Sequence, residues 1–172
     1  MMDERSWFYR KEGRRIRSLD VLMGIYYLSV GRGINLLLNV SPDPRGHLPE
    51  PDRTRLLEFG SEIRKRFSNP IATIDDWTRE ENRYRLTLPS PVTINHLVLG
   101  ETIANGNRIR GFRIFGQPYL HSREPVELYR GTAVGHKAIC QFPTVYFKEL
   151  VVEIAEAAVP LYINDIDAYW SA

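Results

Sequence analysis

The stretch from Gly31 to Gly46, GRGINLLLNVSPDPRG, constrains the fold of this chain more than any other. Ile34, Leu36, Leu37, Leu38 and Val40 form a near-continuous apolar run, the pattern of a parallel strand covered on both faces. A parallel strand needs parallel neighbours, each reached through a crossover connection. Upstream of residue 34 there is room for one helix and little else. The run predicts either the tail of a larger α/β domain or a sheet completed by another chain. The tail is the reading adopted.

The flanks fit a repeating unit. Leu19, Leu22, Met23, Tyr26, Tyr27 and Val30 recur at three- and four-residue steps, predicting a helix over 18–30 that Ser18 caps and Gly31 and Gly33 stop. After the strand, Ser41-Pro42-Asp43-Pro44-Arg45-Gly46 is turn chemistry. A second helix is predicted over 51–67, with Pro51 in its first turn and Leu56, Gly60, Ile63 and Phe67 on one face. Helix, buried strand, helix is one unit of a (β/α) barrel or a doubly wound sheet, and one unit cannot be a domain.

The texture changes after Ser68-Asn69-Pro70. Short β-rich runs are predicted at 83–88, 92–99, 109–115, 126–129, 137–142, 145–154 and 160–169. Phe112 and Ile114 alternate with Arg113, and Leu150, Val152 and Ile154 alternate with Val151 and Glu153. Seven short strands at this spacing predict an antiparallel sandwich. The expected organisation is residues 1–67 as an α/β fragment and 70–172 as an all-β domain. The charge divides at the same place, net +4 over residues 1–67 and net −2 over 68–172. A total of +2 is too small to imply a nucleic-acid or acidic-membrane partner.

Most chemical motifs are missing. Cys140 is the single cysteine and sits in the apolar segment KAICQF, so it reads as a core thiol. His47, His96, His121 and His136 are scattered without zinc-ligand spacing, and no metal or cofactor is expected. Asp75-Asp76-Trp77-Thr78-Arg79-Glu80-Glu81 lacks the spaced pattern of a calcium loop and reads as a solvated loop with Trp77 turned inward. The glycines of Gly31-Arg32-Gly33 precede a strand, so they are no phosphate cradle, and no serine sits in a GxSxG elbow. The sequon Asn39-Val40-Ser41 closes the apolar run and reads as a chance match. No run of about 18 apolar residues could span a bilayer, and the first fifteen residues contain no signal-like apolar core.

That leaves Ser6-Trp7-Phe8-Tyr9. Three consecutive aromatics followed by RKEGRR are either a packed loop or a platform on which sugar C–H faces stack. The residues alone leave both readings open.

SWFYRKEG followed by SLDVLMGIYYLSVGRGINLLLNVSPDPRGHLPEPDRTRLLEFGSEIRKRF closely resembles the last stretch of the catalytic barrel in α-L-fucosidases, family 29 of the glycoside hydrolases. The segments INHLVLGETIANGNRIRGFRIFG, YRGTAVGHKAICQFPTVYFKELVVEIAEA and PLYINDIDAYW resemble the galactose-binding-like β-sandwich that follows it. The resemblance implies a retaining exo-hydrolysis of terminal α-L-fucose from fucosylated glycans. Two carboxyl groups about 5–5.5 Å apart, a nucleophile and an acid/base, would flank the bond. The resemblance implies that the nucleophile Asp lies on a strand far upstream and the acid/base Glu a short way before the aromatic segment, both upstream of residue 1; the spacing of Asp3 and Glu4 to Trp7 does not fit that Glu.

Of the family's site only the aromatic segment carries over, which makes Trp7, Phe8 and Tyr9 the candidate substrate-binding residues, with Trp7 foremost. Ser6 stands where the resemblance leads one to expect Gly. The isolated chain is expected to be inactive and to need the upstream barrel. In this family a secreted, periplasmic or lysosomal location is usual. The competing reading is a carbohydrate-binding or docking sandwich without catalytic activity.

Overall fold

Ser18 opens the first helix as the sequence predicts, its hydroxyl accepting the Val21 N–H at 3.3 Å. Helix α1 runs Leu19–Leu28 and buries Leu22, Met23 and Tyr26. It stops at a tight turn in which Gly33 has φ +76°, a conformation that disfavours side chains. Helix α2, Glu50–Phe67, begins with Pro51 in its first turn, has Glu50 and Asp52 at its positive end, and ends on Arg64, Lys65 and Arg66. The computed structural model describes residues 1–104, 106–119 and 124–171.

The remainder is antiparallel sheet. A 3₁₀ turn at Ile74–Asp76 leads into β1 (Thr78–Glu80), followed by β2 (Arg83–Glu101), β3 (Ile109–Pro118), β4 (Val126–Gly131), β5 (Ala138–Ala157) and β6 (Ile163–Tyr169). The order is β1-β2-β5-β3-β4, with β6 on β2, and every pair is antiparallel. Among the described residues there are six strands where seven were expected: 83–88 and 92–99 are one strand, as are 137–142 and 145–154, which leaves five, and β1 adds a sixth. Register shifts between Thr87 and Val92 mark where Pro89 and Pro91, with no N–H to give, interrupt the ladder. β1 falls within the segment read as a loop, although Trp77 is turned inward as expected, 8% exposed.

One face of the sheet carries the larger core. Leu86, Leu97, Phe112, Ile114, Cys140 and Phe147 meet there, all 2% exposed or less. The alternation of Leu150, Val152 and Ile154 delivers those three into it as predicted. A second core forms where the helices lie on the sheet, with Leu22, Met23, Tyr26 and Phe59 against Val98, Ile139 and Tyr169. Phe59, rather than the predicted face of Leu56, Gly60, Ile63 and Phe67, is the most buried apolar residue of α2.

Residues 34–40 do not form the predicted strand. They belong to no ladder, and Ile34 and Leu37 are 62% and 90% exposed. Leu36, Leu38 and Val40 lean on the helical core instead. A strand exists only through its neighbours, and among the described residues this segment is bonded only at its ends, Ile34 N–H to the Ser29 carbonyl at 3.0 Å and the Asn39 carbonyl to Met2 N–H at 2.8 Å, with no strand alongside. Just before it, Arg32 bridges to Ala138 of β5 and Ile139 N–H donates to the Gly31 carbonyl at 2.9 Å.

Candidate functional site

The segment Ser6-Trp7-Phe8-Tyr9 is held by backbone rather than by burial. Asn39 Nδ2 donates to the Trp7 carbonyl at 2.9 Å, and the Ser41 hydroxyl donates to the same oxygen. Ser6 Oγ donates to the Phe8 carbonyl at 2.8 Å, and Met2 N–H donates to the Asn39 carbonyl at 2.8 Å. The arm therefore lies along the end of the apolar run. Trp7 is 56% exposed and Phe8 78%, so neither ring is buried in a core.

Together Trp7, Phe8 and Tyr9 line an open groove of about 440 Å³ with Asn39, Val40 and Ser41. Sequence reading passed over Asn39 and Ser41, taking one as a chance sequon and the other as turn chemistry. Their role as clamps on Trp7 has no signal in local spacing, because the partners are 32 and 34 residues apart.

Behind the arm sits a buried ion cluster that sequence reading also missed. Arg14 Nη2 lies 2.5 Å from Asp52 Oδ2, and its Nε lies 3.6 Å from Asp3 Oδ2. Its guanidinium carbon stands 5.4 Å from the centre of the Tyr9 ring. Burial alone would raise the Asp3 carboxyl. The N–H groups of Arg5 and Arg15, with the charge of Arg14, hold it below its usual range. Glu4 faces outward in an ion pair with Arg15 at 2.7 Å. Neither Asp3 nor Glu4 lines the groove.

Elsewhere little is reactive. Cys140 is fully buried, and burial pushes its thiol well above the ordinary range, so it is a core residue as predicted. Among the described residues no group of three or more His, Cys, Asp or Glu side chains converges to hold a metal ion. His121 lies outside the described residues. No described helix is long and apolar enough to cross a membrane. The groove can stack an apolar ring face on its indole and phenyl rings and offer polar groups beside them, but no carboxyl pair lines it.

Known proteins resemble the chain along both of its parts. A family profile described as α-L-fucosidase matches residues 1–66. Alpha-L-fucosidase 1 of Arabidopsis thaliana is 30% identical over 155 residues, covering 72% of this chain and 30% of the relative. A Bacteroides thetaiotaomicron protein provisionally assigned as an α-L-fucosidase superposes with a TM-score of 0.87 at 33% identity, over 97% of this chain and 38% of that one. A glycoside hydrolase 29 family member from an unknown rumen bacterium gives 0.88 at 25% identity, over 99% and 32%. The chain spans about a third of the length of the curated relatives it matches, 35% and 30% of two of them.

Proposed function

We propose, for a chain that belongs to the α-L-fucosidases of glycoside hydrolase family 29 and corresponds to their C-terminal portion, that it completes a retaining exo-α-L-fucosidase acting on terminal fucose of glycans. In this reading residues 1–67 are the last helix–strand–helix of a (β/α) barrel, and 70–172 form the galactose-binding-like sandwich behind it. The observation that carries it is the clamp of Asn39 and Ser41 on Trp7, which joins the two family-like segments in one groove. The bare edge of Ile34 and Leu37 adds support, since it suits a strand whose neighbour lies in an upstream barrel segment.

Trp7 would wall the fucose pocket, its indole facing the sugar's methyl-bearing side, while Phe8 and Tyr9 continue the wall. The chemistry needs a nucleophile and an acid/base about 5–5.5 Å apart, and both are assigned to the upstream segment. Asp3 is committed to Arg14 and Glu4 to Arg15, which leaves neither placed to protonate a leaving oxygen over the groove.

The test is an aryl α-L-fucoside assay. The purified chain should give no turnover, and fusion behind the upstream two-thirds of a family member should give turnover that Trp7→Ala diminishes. Activity of the chain alone that disappears on Glu4→Gln would overturn the assignment and make Glu4 the acid.

A further inference from the structure

A recess lies where the end of α2 meets β6 and the start of β5, about 180 Å³ in volume and more enclosed than the aromatic groove. The two share no lining residue. We propose that this recess binds a single sugar ring, with Asp165 and Asp167 accepting hydrogen bonds from its hydroxyls, Lys137 donating to it, and the edges of Val98 and Ile139 that the helices leave uncovered forming part of its apolar lining.

The register builds it. Asp165 and Asp167 lie two residues apart on β6, hence on one face, opposite Gly100 and Val98 of β2. On the other side of β2, Val98 pairs with Ile139 of β5, which puts Lys137 across the gap from the carboxylates. Gly100 makes room for the Asp165 carboxylate, since a Cβ there would stand 2.6 Å from Asp165 Oδ2. Phe67 and Tyr169, in edge-to-face contact at 5.6 Å, close one end, and His136 stands at the rim.

The polar groups are incompletely used. No ion pair joins Lys137 to either carboxylate among the described residues. Asp165 accepts from Asn164 Nδ2 at 2.5 Å, and among the described residues Asp167 takes only a long bond, 3.3 Å, from the Tyr169 hydroxyl. Burial, with the charge of Asp165, raises the Asp167 carboxyl above its usual range, and the Tyr169 hydrogen bond and the charge of Lys137 oppose them. A neutral donor placed against Asp167 would favour its charged form.

The chemistry selects the ligand class. Two carboxylates repel an anion, and among the described residues no group of three His, Cys, Asp or Glu side chains converges to hold a metal ion. Acceptors facing a donor beside apolar lining suit a ring that carries both hydroxyls and C–H groups. This site does not depend on the role proposed for Trp7.

The experiment is a titration of the ¹⁵N-labelled full chain with L-fucose, D-galactose and D-glucose, and separately with calcium chloride, followed by amide shifts. At least one sugar should move the amides of Val98, Ile139 and Asp167 along a saturating curve. Asp167→Asn and Lys137→Met should each weaken that binding about tenfold or more while the rest of the spectrum stays dispersed. Lys137 is partly exposed, so its variant keeps the test alive if Asp167→Asn fails to fold. Four outcomes overturn the proposal: no sugar moves these amides, both folded variants bind unchanged, calcium alone binds, or the shifts are confined to Trp7–Tyr9 and Asn39–Ser41.

Discussion

Tyr27 of α1 and His96 of β2 join the helical layer to the sheet, hydroxyl to Nε2 at 2.9 Å with their rings stacked 5.7 Å apart. The direction of every proton between them is fixed from the backbone outward. Ser171 N–H donates to Asn95 Oδ1, so that oxygen is an acceptor, and His96 Nδ1, 2.7 Å from it, must donate. His96 Nε2 then accepts from Tyr27, whose oxygen in turn accepts from Arg66 at 3.1 Å. The imidazole is the neutral Nδ1–H tautomer, its Nε2 lone pair taken by the Tyr27 hydroxyl.

A pH dependence of stability follows. Burial, with the nearby Arg66 charge, brings the His96 pKa from the ordinary 6.5 down to about 4. Between those values the unfolded chain holds the proton and the folded chain does not, so stability is full above about pH 6.5 and falls as pH drops toward 4. The gap corresponds to at most about 3 kcal/mol. Denaturant midpoints measured from pH 7 to pH 4 should fall in the native chain and less steeply in His96→Gln. Equal slopes would mean that His96 does not govern this window.

Arg14 is predicted to be the costliest single charge to remove. Its side chain is 13% exposed and stands between Asp3 and Asp52, which are 6% and 1% exposed. Arg14→Met would strand two buried carboxylates, a loss on the order of 3–5 kcal/mol. Calorimetry should show the melting temperature down by roughly 6–20 °C, with Arg14→Lys between the two. A drop no larger than that of an exposed control such as Arg53→Met would show the cluster to be solvated.

Glu101 ties two loops to the end of β2. Its carboxylate accepts from the N–H groups of Arg108 (2.9 Å), Ile109 (3.1 Å) and Gly135 (2.8 Å) while it is 3% exposed. Glu101→Ala would leave those buried donors unpaired, costing about 1–3 kcal/mol for each that water cannot reach. Hydrogen exchange at Ile109 and Gly135 should accelerate in the variant, and unchanged protection would refute the tie.

Residues whose partners are near in sequence were the legible ones. Ser18 capping α1, the alternating core of β5 and the burial of Cys140 and Trp77 all come from local pattern. The Tyr27–His96 bond spans 69 residues and the Arg14–Asp52 pair 38, and no periodicity announces either. Asn39 and Ser41 were visible as residue types, yet their partner is a backbone carbonyl whose position depends on the whole arm. The apolar run at 34–40 was legible as strand chemistry, but strand structure needs a ladder, and among the described residues the segment joins none.

The two parts of the chain are predicted to depend on each other unequally. Val98, Ile139 and Tyr169, each 6% exposed, lie under the helices, whereas the larger core needs no residue before Ala72. The fragment 70–172 should unfold cooperatively but bind a hydrophobic dye at the uncovered patch. The fragment 1–67 should be insoluble, having lost the sheet beneath α1 and α2. A soluble, monomeric 1–67 with a sharp thermal transition would contradict this.

Trp7 and Trp77 should behave as opposites in an active enzyme that contains this chain. Trp77 is 8% exposed within the larger core, so Trp77→Ala should cost about 3–5 kcal/mol of stability and leave specific activity nearly intact in the folded fraction. Trp7 is 56% exposed and held through its carbonyl, which any residue would supply, so Trp7→Ala should barely move the melting temperature. Its loss should fall on the substrate. A missing stacking contact is worth about 0.5–1.5 kcal/mol beyond buried area. A misplaced sugar raises the barrier further, so kcat/KM should fall about tenfold or more. Paired melting and fucoside kinetics on the two variants decide it. If Trp7→Ala unfolds the protein while Trp77→Ala abolishes turnover, Trp7 is a packing residue and the sheet domain is the part that meets substrate.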